Sequence, residues 1–391
     1  MAGPTAASSR RRIAPTTSPA PSATRSPTSA TQTPNIRWSA FRRAPAGQTR
    51  RGSRPRPRWS TSSGTNRAAI TTSTRSSRKL LPEVVKPIHV LQSGPWLSDE
   101  LRAAIPAPFV VHALHLEADP QDAIDRLGDG IQALLCHSGG PPTDRALLDR
   151  LPKLSLIINL GAGTDSVDLD AAAQRGIPVL DGVGFNAIDV AELAFGLVLA
   201  LARGLIHGDR MVREGRWSET RSILGHRVSG RRLGILGMGS IGQQLARRAA
   251  AFDMEVSYFS RRPVAGMPWM HVPDVVRLAE ASDFLVSALP GGHATRHVVD
   301  NRVLDALGSH GYLVSVGRGT VVDEEALVRA LEEGRIAGAA LDVFENEPEV
   351  PAGLVGSSTT VLQAHCGGKT HEAYRTVVKE TVRRLKAHFD A

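Results

Sequence analysis

Short apolar runs alternate with helix-forming stretches twice along this chain, and that alternation leaves few folds open. PIHVLQSG, FVVHALH, IQALLCHSG, LSLIINLGAG and IPVLD form the first series, separated by segments such as SDELRAAI and TDRALLDRL. RRLGILGMGSIG, EVSYFSRRP, SDFLVSALP, GYLVSVGRG, AGAALDVFE and TTVLQAHCG form the second. Strands buried on both faces read as continuous apolar runs, and the helices between them must cover those faces. Each series therefore predicts a parallel sheet with helices on both sides. The expected fold class is α/β, with two doubly wound parallel-sheet domains. A long apolar helix at about Ile188 to Leu205 lies between the series. Glu192 and Arg203 interrupt it, short of the roughly 20 apolar residues a membrane span needs, so it is expected inside the protein, with no membrane partner.

The head of the chain departs from this pattern. Residues 1–79 hold 15 Arg, one Lys and no Asp or Glu, a charge of +16 against +9 for the whole chain, which leaves −7 on the rest. Rich in Ser, Thr, Pro and Ala and without an apolar period, this segment has too little apolar surface to offset the entropy of ordering, so disorder is expected. Three roles fit it: an organellar leader rich in Arg and Ser, a basic arm for nucleic acid, or an extension without function. The chain has 41 Arg and 6 Lys, a bias of GC-rich coding sequence. It favours the third role, for example translation begun upstream of the true start. Nucleic acid is thus not expected as a partner outside residues 1–79. Two cysteines, Cys136 and Cys366, make no disulfide framework and fit a reducing compartment. A cytoplasmic location is expected, or an organellar one if the head is a leader. No spacing suggests a metal site.

Gly237-Met238-Gly239-Ser240-Ile241-Gly242 fits G-x-G-x-x-G, between a short apolar strand at 232–236 and a helix from Gln243 to Ala251. The first glycine permits the tight turn, the second lets backbone approach a pyrophosphate, and the third lets the helix pack on the strand. The helix N-terminus then offers N–H groups and a positive dipole end to phosphate. The next strand ends in Ser260-Arg261-Arg262. A carboxylate that would accept from ribose hydroxyls is missing there, and two guanidinium forks suited to a phosphate stand in its place. This favours NADP as cofactor, with NAD as the alternative.

Three later strand ends each carry one polar residue: Arg318 in VSVGRGT, Glu347 in DVFENEP and His365 in QAHCGG. Ligands of doubly wound sheets bind at the carboxyl ends of strands, so the three can converge. In this order, with Pro290-Gly291-Gly292 and Thr295, Gly317 to Asp323, Leu341 to Phe344, Glu347-Pro348 and Gly367-Gly368, the chain resembles the D-isomer-specific 2-hydroxyacid dehydrogenases. Within them it is most similar to the glyoxylate/hydroxypyruvate reductase branch, over roughly residues 87–388. GDRMVREGRW at 208–217 and SRRP also look like that branch.

The resemblance implies an extension over residues 1–84 and a flavodoxin-like substrate domain over 85–182, completed by 366–391. A Rossmann cofactor domain over 183–365 is implied between them. It implies NAD(P)H-dependent reduction of a small 2-oxo acid. Arg318 would hold the substrate carboxylate, His365 would protonate the carbonyl oxygen, and Glu347 would hydrogen-bond the imidazole and keep the acid loaded. Asp342 and the Val316 backbone would lie near the nicotinamide carboxamide, and Leu289 and Pro290 would line the cofactor, with Thr295 in the same loop. Ser138-Gly139-Gly140 would close on the substrate carboxylate through backbone N–H groups. The Gly161 to Asp165 turn matches a family turn, as a tight turn or as a contact. A homodimer is implied, with the helix near 190–205 as the contact element. The alternatives are a dinucleotide-binding corepressor-like scaffold and a dehydrogenase for a larger 2-hydroxy acid. Ser315, Ala364, Cys366 and Asp181 stand where the family usually has Asn, Pro, an apolar residue and Asn. Cys366, beside His365, suggests sensitivity to oxidation.

Overall fold

The computed structural model of the chain describes residues 86–222 and 224–390, and the expectations for residues 1–84 lie outside them. The first series forms β1 (Ile88–Gln92), β2 (Phe109–Ala113), β3 (Ile131–Cys136), β4 (Leu156–Asn159) and β5 (Val179–Leu180). They make one parallel sheet in the order β2-β1-β3-β4-β5. The second series forms β6 (Arg232–Leu236), β7 (Glu255–Phe259), β8 (Met270–His271), β9 (Phe284–Ser287), β10 (Tyr312–Ser315), β11 (Gly338–Leu341) and β12 (Thr360–Leu362). These also run parallel, in the order β12-β11-β10-β9-β6-β7-β8. The two α/β sheets are those the alternation predicts, with one addition. β8 pairs an exposed Met270 with a partly buried His271, so it leaves no apolar run to read.

Central strands are buried throughout, as the unbroken apolar runs require. All positions of β4, β9 and β11 are buried. Alternate residues of β9 and β10 serve two cores. Phe284, Val286 and Val314 face one layer of helices, whereas Leu285 and Leu313 face the other. The long apolar helix spans Ala187–Arg203 and ends at Gly204, which adopts the left-handed conformation (φ 57°) that glycine tolerates. Its Ala191, Ala194, Leu197 and Val198 are buried in the core of the second sheet. Among the described residues no single helix is long and apolar enough to cross a membrane. The closing helix, His371–Phe389, returns to the first sheet, where Val377 and Leu385 pack with Val90, Leu135 and Ile158.

Two features of this topology build a site. Strand order reverses between β1 and β3 in one sheet and between β6 and β9 in the other, and a crevice opens at such a reversal. In the second sheet, Leu236, Ser287, Ser315, Leu341 and Leu362 pair in register across β6, β9, β10, β11 and β12. Five strands thus end flush, and the residues that follow them share one rim.

Candidate active site

Arg318, Glu347 and His365 all stand on that rim, beyond β10, β11 and β12. Glu347 Oε2 lies 2.8 Å from His365 Nδ1. Glu347 Oε1 accepts the Phe344 N–H at 3.0 Å. One carboxylate oxygen therefore orients the imidazole while the other is fixed by its own turn. With Nδ1 occupied, Nε2 is the ring atom left to meet a substrate. The His365 side chain is 44 % exposed, open enough to be reached.

The loop that carries His365 is tied to Asp342. The Asp342 carbonyl accepts the His365 N–H at 2.8 Å, and its two carboxylate oxygens accept the N–H groups of Cys366 at 2.8 Å and Gly367 at 2.9 Å. Three successive N–H groups converge on one buried residue. They hold His365 at φ 48°, a left-handed conformation that a non-glycine residue adopts only when its surroundings impose it. A Cβ on Gly367 would stand 2.9 Å from Asp342 Oδ2. Asp342, expected from the resemblance beside a nicotinamide carboxamide, here clamps the histidine loop.

Arg318 is aimed by the first sheet. Its Nε donates to Asp165 Oδ2 at 3.1 Å and its Nη1 to the Gly317 carbonyl at 3.0 Å. Asp165 ends the Gly161 to Asp165 turn, so the contact role applies to it. Asn159, fully buried at the end of β4, shapes this turn by donating to the carbonyls of Gly161 and Gly163 at 2.7 Å each. A Cβ at Gly163 would fall 1.7 Å from Arg318 Nη2, so only glycine lets the turn come this close. No hydrogen bond joins Arg318 to Glu347 or His365. Backbone packing links them instead: a Cβ on Gly319 would lie 1.9 Å from the Phe344 carbonyl carbon, so the Arg318 segment rests on the turn leading to Glu347. Sequence reasoning missed Asn159. Its signal was a polar residue closing the apolar run LIIN.

Ser138-Gly139-Gly140 follows β3 at the reversal of the first sheet. Gly139 has φ 81°, and the Gly140 N–H is spent inside the turn on the His137 carbonyl at 3.1 Å. The expected anion contact through Gly140 N–H is thus pre-empted in this conformation. A Cβ at Gly161 would lie 3.6 Å from Ser138 Oγ, so this loop borders the turn that touches Arg318.

The glycine loop fits a dinucleotide. Gly237 has φ 99°, and a Cβ on Gly242 would lie 2.1 Å from the Gly237 carbonyl oxygen. Beyond Gly239, where the backbone would meet phosphate, a Cβ would touch nothing within 4 Å. The helix Ser240–Ala251 starts there with no side-chain cap, leaving its first N–H groups for an anion. Met238 and Ile241 pack into the core beneath. Leu289 flanks the loop, within 3.2 Å of the Gly237 Cβ position. The Thr295 hydroxyl bonds the Pro290 carbonyl at 2.8 Å and so ties its loop, and the Val316 side chain is buried while its N–H bonds the Ser287 carbonyl at 3.0 Å. Ser260 Oγ donates to the Arg262 carbonyl at 2.6 Å. Arg261 and Arg262 project from that turn, exposed and without an ion pair among the described residues.

Cys366 follows His365 in the same loop. Burial, together with the Asp342 carboxylate, pushes its thiol up from the usual range, and Sγ donates to Gln363 Oε1 at 3.2 Å. A thiol kept protonated is a poor nucleophile.

Residues 195–367 match the family model described as D-isomer specific 2-hydroxyacid dehydrogenase, NAD binding domain. Glyoxylate/hydroxypyruvate reductase A of Arabidopsis thaliana is 44 % identical over 63 % of this chain and 79 % of its own length. The chain belongs to the D-isomer-specific 2-hydroxyacid dehydrogenases. Hydroxyphenylpyruvate reductase of Plectranthus scutellarioides, 39 % identical, aligns over 77 % of this dehydrogenase and 96 % of its own length. Among solved structures, a 2-hydroxyacid dehydrogenase from Ketogulonicigenium vulgare superposes with a TM-score of 0.73 at 38 % identity, over 78 % of this chain and 96 % of that one. An NADPH-dependent glyoxylate/hydroxypyruvate reductase from Sinorhizobium meliloti, solved with NADP and malonate, gives a TM-score of 0.68 at 33 % identity, over 78 % and 94 %. This dehydrogenase is therefore an oxidoreductase that interconverts 2-oxo and 2-hydroxy acids with a nicotinamide dinucleotide.

Proposed function

We propose that the chain reduces glyoxylate or hydroxypyruvate with NADPH. The observation that carries this reading is the 2.8 Å Glu347–His365 pair, seated on a turn packed against Arg318. Arg318 Nη2, the guanidinium nitrogen without a hydrogen-bond partner among the described residues, would take the substrate carboxylate, and Asp165 holds the fork in place. His365 Nε2 would deliver a proton to the 2-oxo oxygen as charge develops there. Glu347 fixes the ring through Nδ1 before and after transfer. In oxidation, His365 is the base. The bound nicotinamide supplies the hydride, and the chain supplies position and electrostatics. The phosphate preference rests on Arg261 and Arg262, whose exposed guanidinium groups suit a ribose phosphate.

A second copy of the chain is proposed as partner. Val183, Ile188, Leu205, Ile206 and Val212 are 48–56 % exposed along one stretch. Most of the helix Ala187–Arg203 is spent on its own core, so the contact would fall on its ends and on Leu205–Arg213 rather than its middle. Sedimentation should give a dimer mass.

Cofactor oxidation with a panel of 2-oxo acids tests the activity. Turnover of glyoxylate or hydroxypyruvate with NADPH is expected. A chain that turned over only bulky 2-oxo acids, or none, would overturn the reading.

A further inference from the structure

Glu324 opens the helix Glu324–Glu332, yet it does not cap it. Asp323 does, accepting the Ala326 N–H at 2.9 Å. A glutamate in the first turn of a helix is ordinarily solvated, where the dipole favours it. Glu324 is turned inward instead and is only 6 % exposed. Its Oε1 accepts the Glu345 N–H at 2.9 Å.

That N–H belongs to the turn of Glu347. Of its two successive amides, Phe344 N–H goes to Glu347 itself and Glu345 N–H goes to Glu324. The Glu345 carboxylate is held in turn by Arg296 at 2.7 Å and by His297 at 3.1 Å. Gly319 lies against the same backbone, its Cβ position 2.4 Å from the Glu345 nitrogen. The turn is therefore fixed from below by one buried carboxyl and from the side by the Arg318 segment. Burying a carboxyl is costly unless it is used. Burial, with the negative charges of Glu345 and Glu347 nearby, pushes the Glu324 carboxyl above its usual range, while the Glu345 N–H and His297 oppose that push. No other contact among the described residues accounts for the inward turn.

We infer that Glu324 is a positioning residue for the Glu347–His365 pair, acting by holding the Glu345 N–H and with it the turn that presents Glu347 to the imidazole. At 6 % exposed it offers almost no surface to a substrate or dinucleotide. The inference rests on the proposed role of that pair, but one of its readouts does not depend on turnover.

The experiment compares Glu324→Gln, Glu324→Ala and Glu324→Asp in the full chain. Gln keeps a carbonyl oxygen at the same reach, Ala removes the acceptor, and Asp keeps the charge but is one methylene too short. The His365 ring N–H, hydrogen-bonded to a carboxylate, gives a proton NMR signal far downfield, assigned by its loss in His365→Asn. Expected is a signal retained in Glu324→Gln and shifted or lost in Glu324→Ala and Glu324→Asp. Where a 2-oxo acid is turned over, kcat should fall on the order of tenfold in the Ala and Asp variants. It should recover in Gln, with NADPH affinity within about twofold of wild type throughout. If Glu324→Ala does not fold, Glu324→Asp decides. An unchanged His365 signal in a folded Ala or Asp variant would overturn the inference, as would a Gln variant no better than Ala. Absence of turnover in wild type would sink the proposed reaction and leave the NMR comparison to decide this point alone.

Discussion

Arg318 and Asp165 come from different sheets, and the 3.1 Å bond between Nε and Oδ2 is what aims the guanidinium. Side-on engagement at Nε, with Nη1 turned back to the Gly317 carbonyl, leaves Nη2 for an incoming carboxylate. Replacing Asp165 by Asn or Ala should therefore loosen aim rather than remove charge. KM for the 2-oxo acid is expected to rise about tenfold, because the contact through Nη2 depends on how the guanidinium is oriented. NADPH affinity should not change. Steady-state kinetics beside a fluorescence titration of NADPH checks this, and an unchanged KM would contradict it.

Gly163 and Gly161 make a matched pair for mutation. An Ala at 163 would put Cβ 1.7 Å from Arg318 Nη2, whereas one at 161 would meet only ordinary contact with Ser138 Oγ at 3.6 Å. Gly163→Ala should lower kcat/KM by on the order of a hundredfold through displacement of the arginine. Gly161→Ala should stay within about threefold of wild type, since no group near it must move. Equal losses in the two variants would contradict the packing described.

Converting Arg261 and Arg262 to Ala should weaken NADPH binding while sparing NADH. Two charge-assisted hydrogen bonds to one phosphate are worth about 1.5–3 kcal/mol each, so a loss of tenfold or more in NADPH affinity is expected. Calorimetry with both dinucleotides checks it, and parallel losses would count against the phosphate assignment.

His365→Asn should lower kcat by roughly 10²–10⁴, the usual worth of a positioned acid. NADPH binding should persist, because Gly237 to Gly242 is built independently of the histidine loop. Native-like turnover would refute the acid role.

Neither cysteine should react readily in the folded protein. Burial pushes the Cys136 thiol up to about 11, and Cys366 is also raised. At neutral pH a disulfide reagent should therefore titrate the thiols slowly until denaturant is added. Rapid inactivation traced to Cys366 would contradict this.

The apolar alternation announced both sheets, because a strand buried on two faces has no other way to be written, and the glycine loop announced its ligand class by the spacing that a tight turn and a close helix demand. The polar residues at three strand ends were likewise legible, since they interrupt apolar runs where nothing structural calls for them. β8 was invisible because Met270–His271 is a half-exposed edge pair with no apolar run to mark it. What folding alone decided is contact between distant segments. Asp165 meets Arg318 across 153 positions of sequence, and Glu324 reaches Glu345 across 21. Neither pairing follows a repeat that a linear reading can detect. They exist because strands of the second sheet end flush and the first sheet brings its own turn to that rim. Sequence determined which groups are available, and the tertiary structure decided which of them a given carboxylate or N–H would meet.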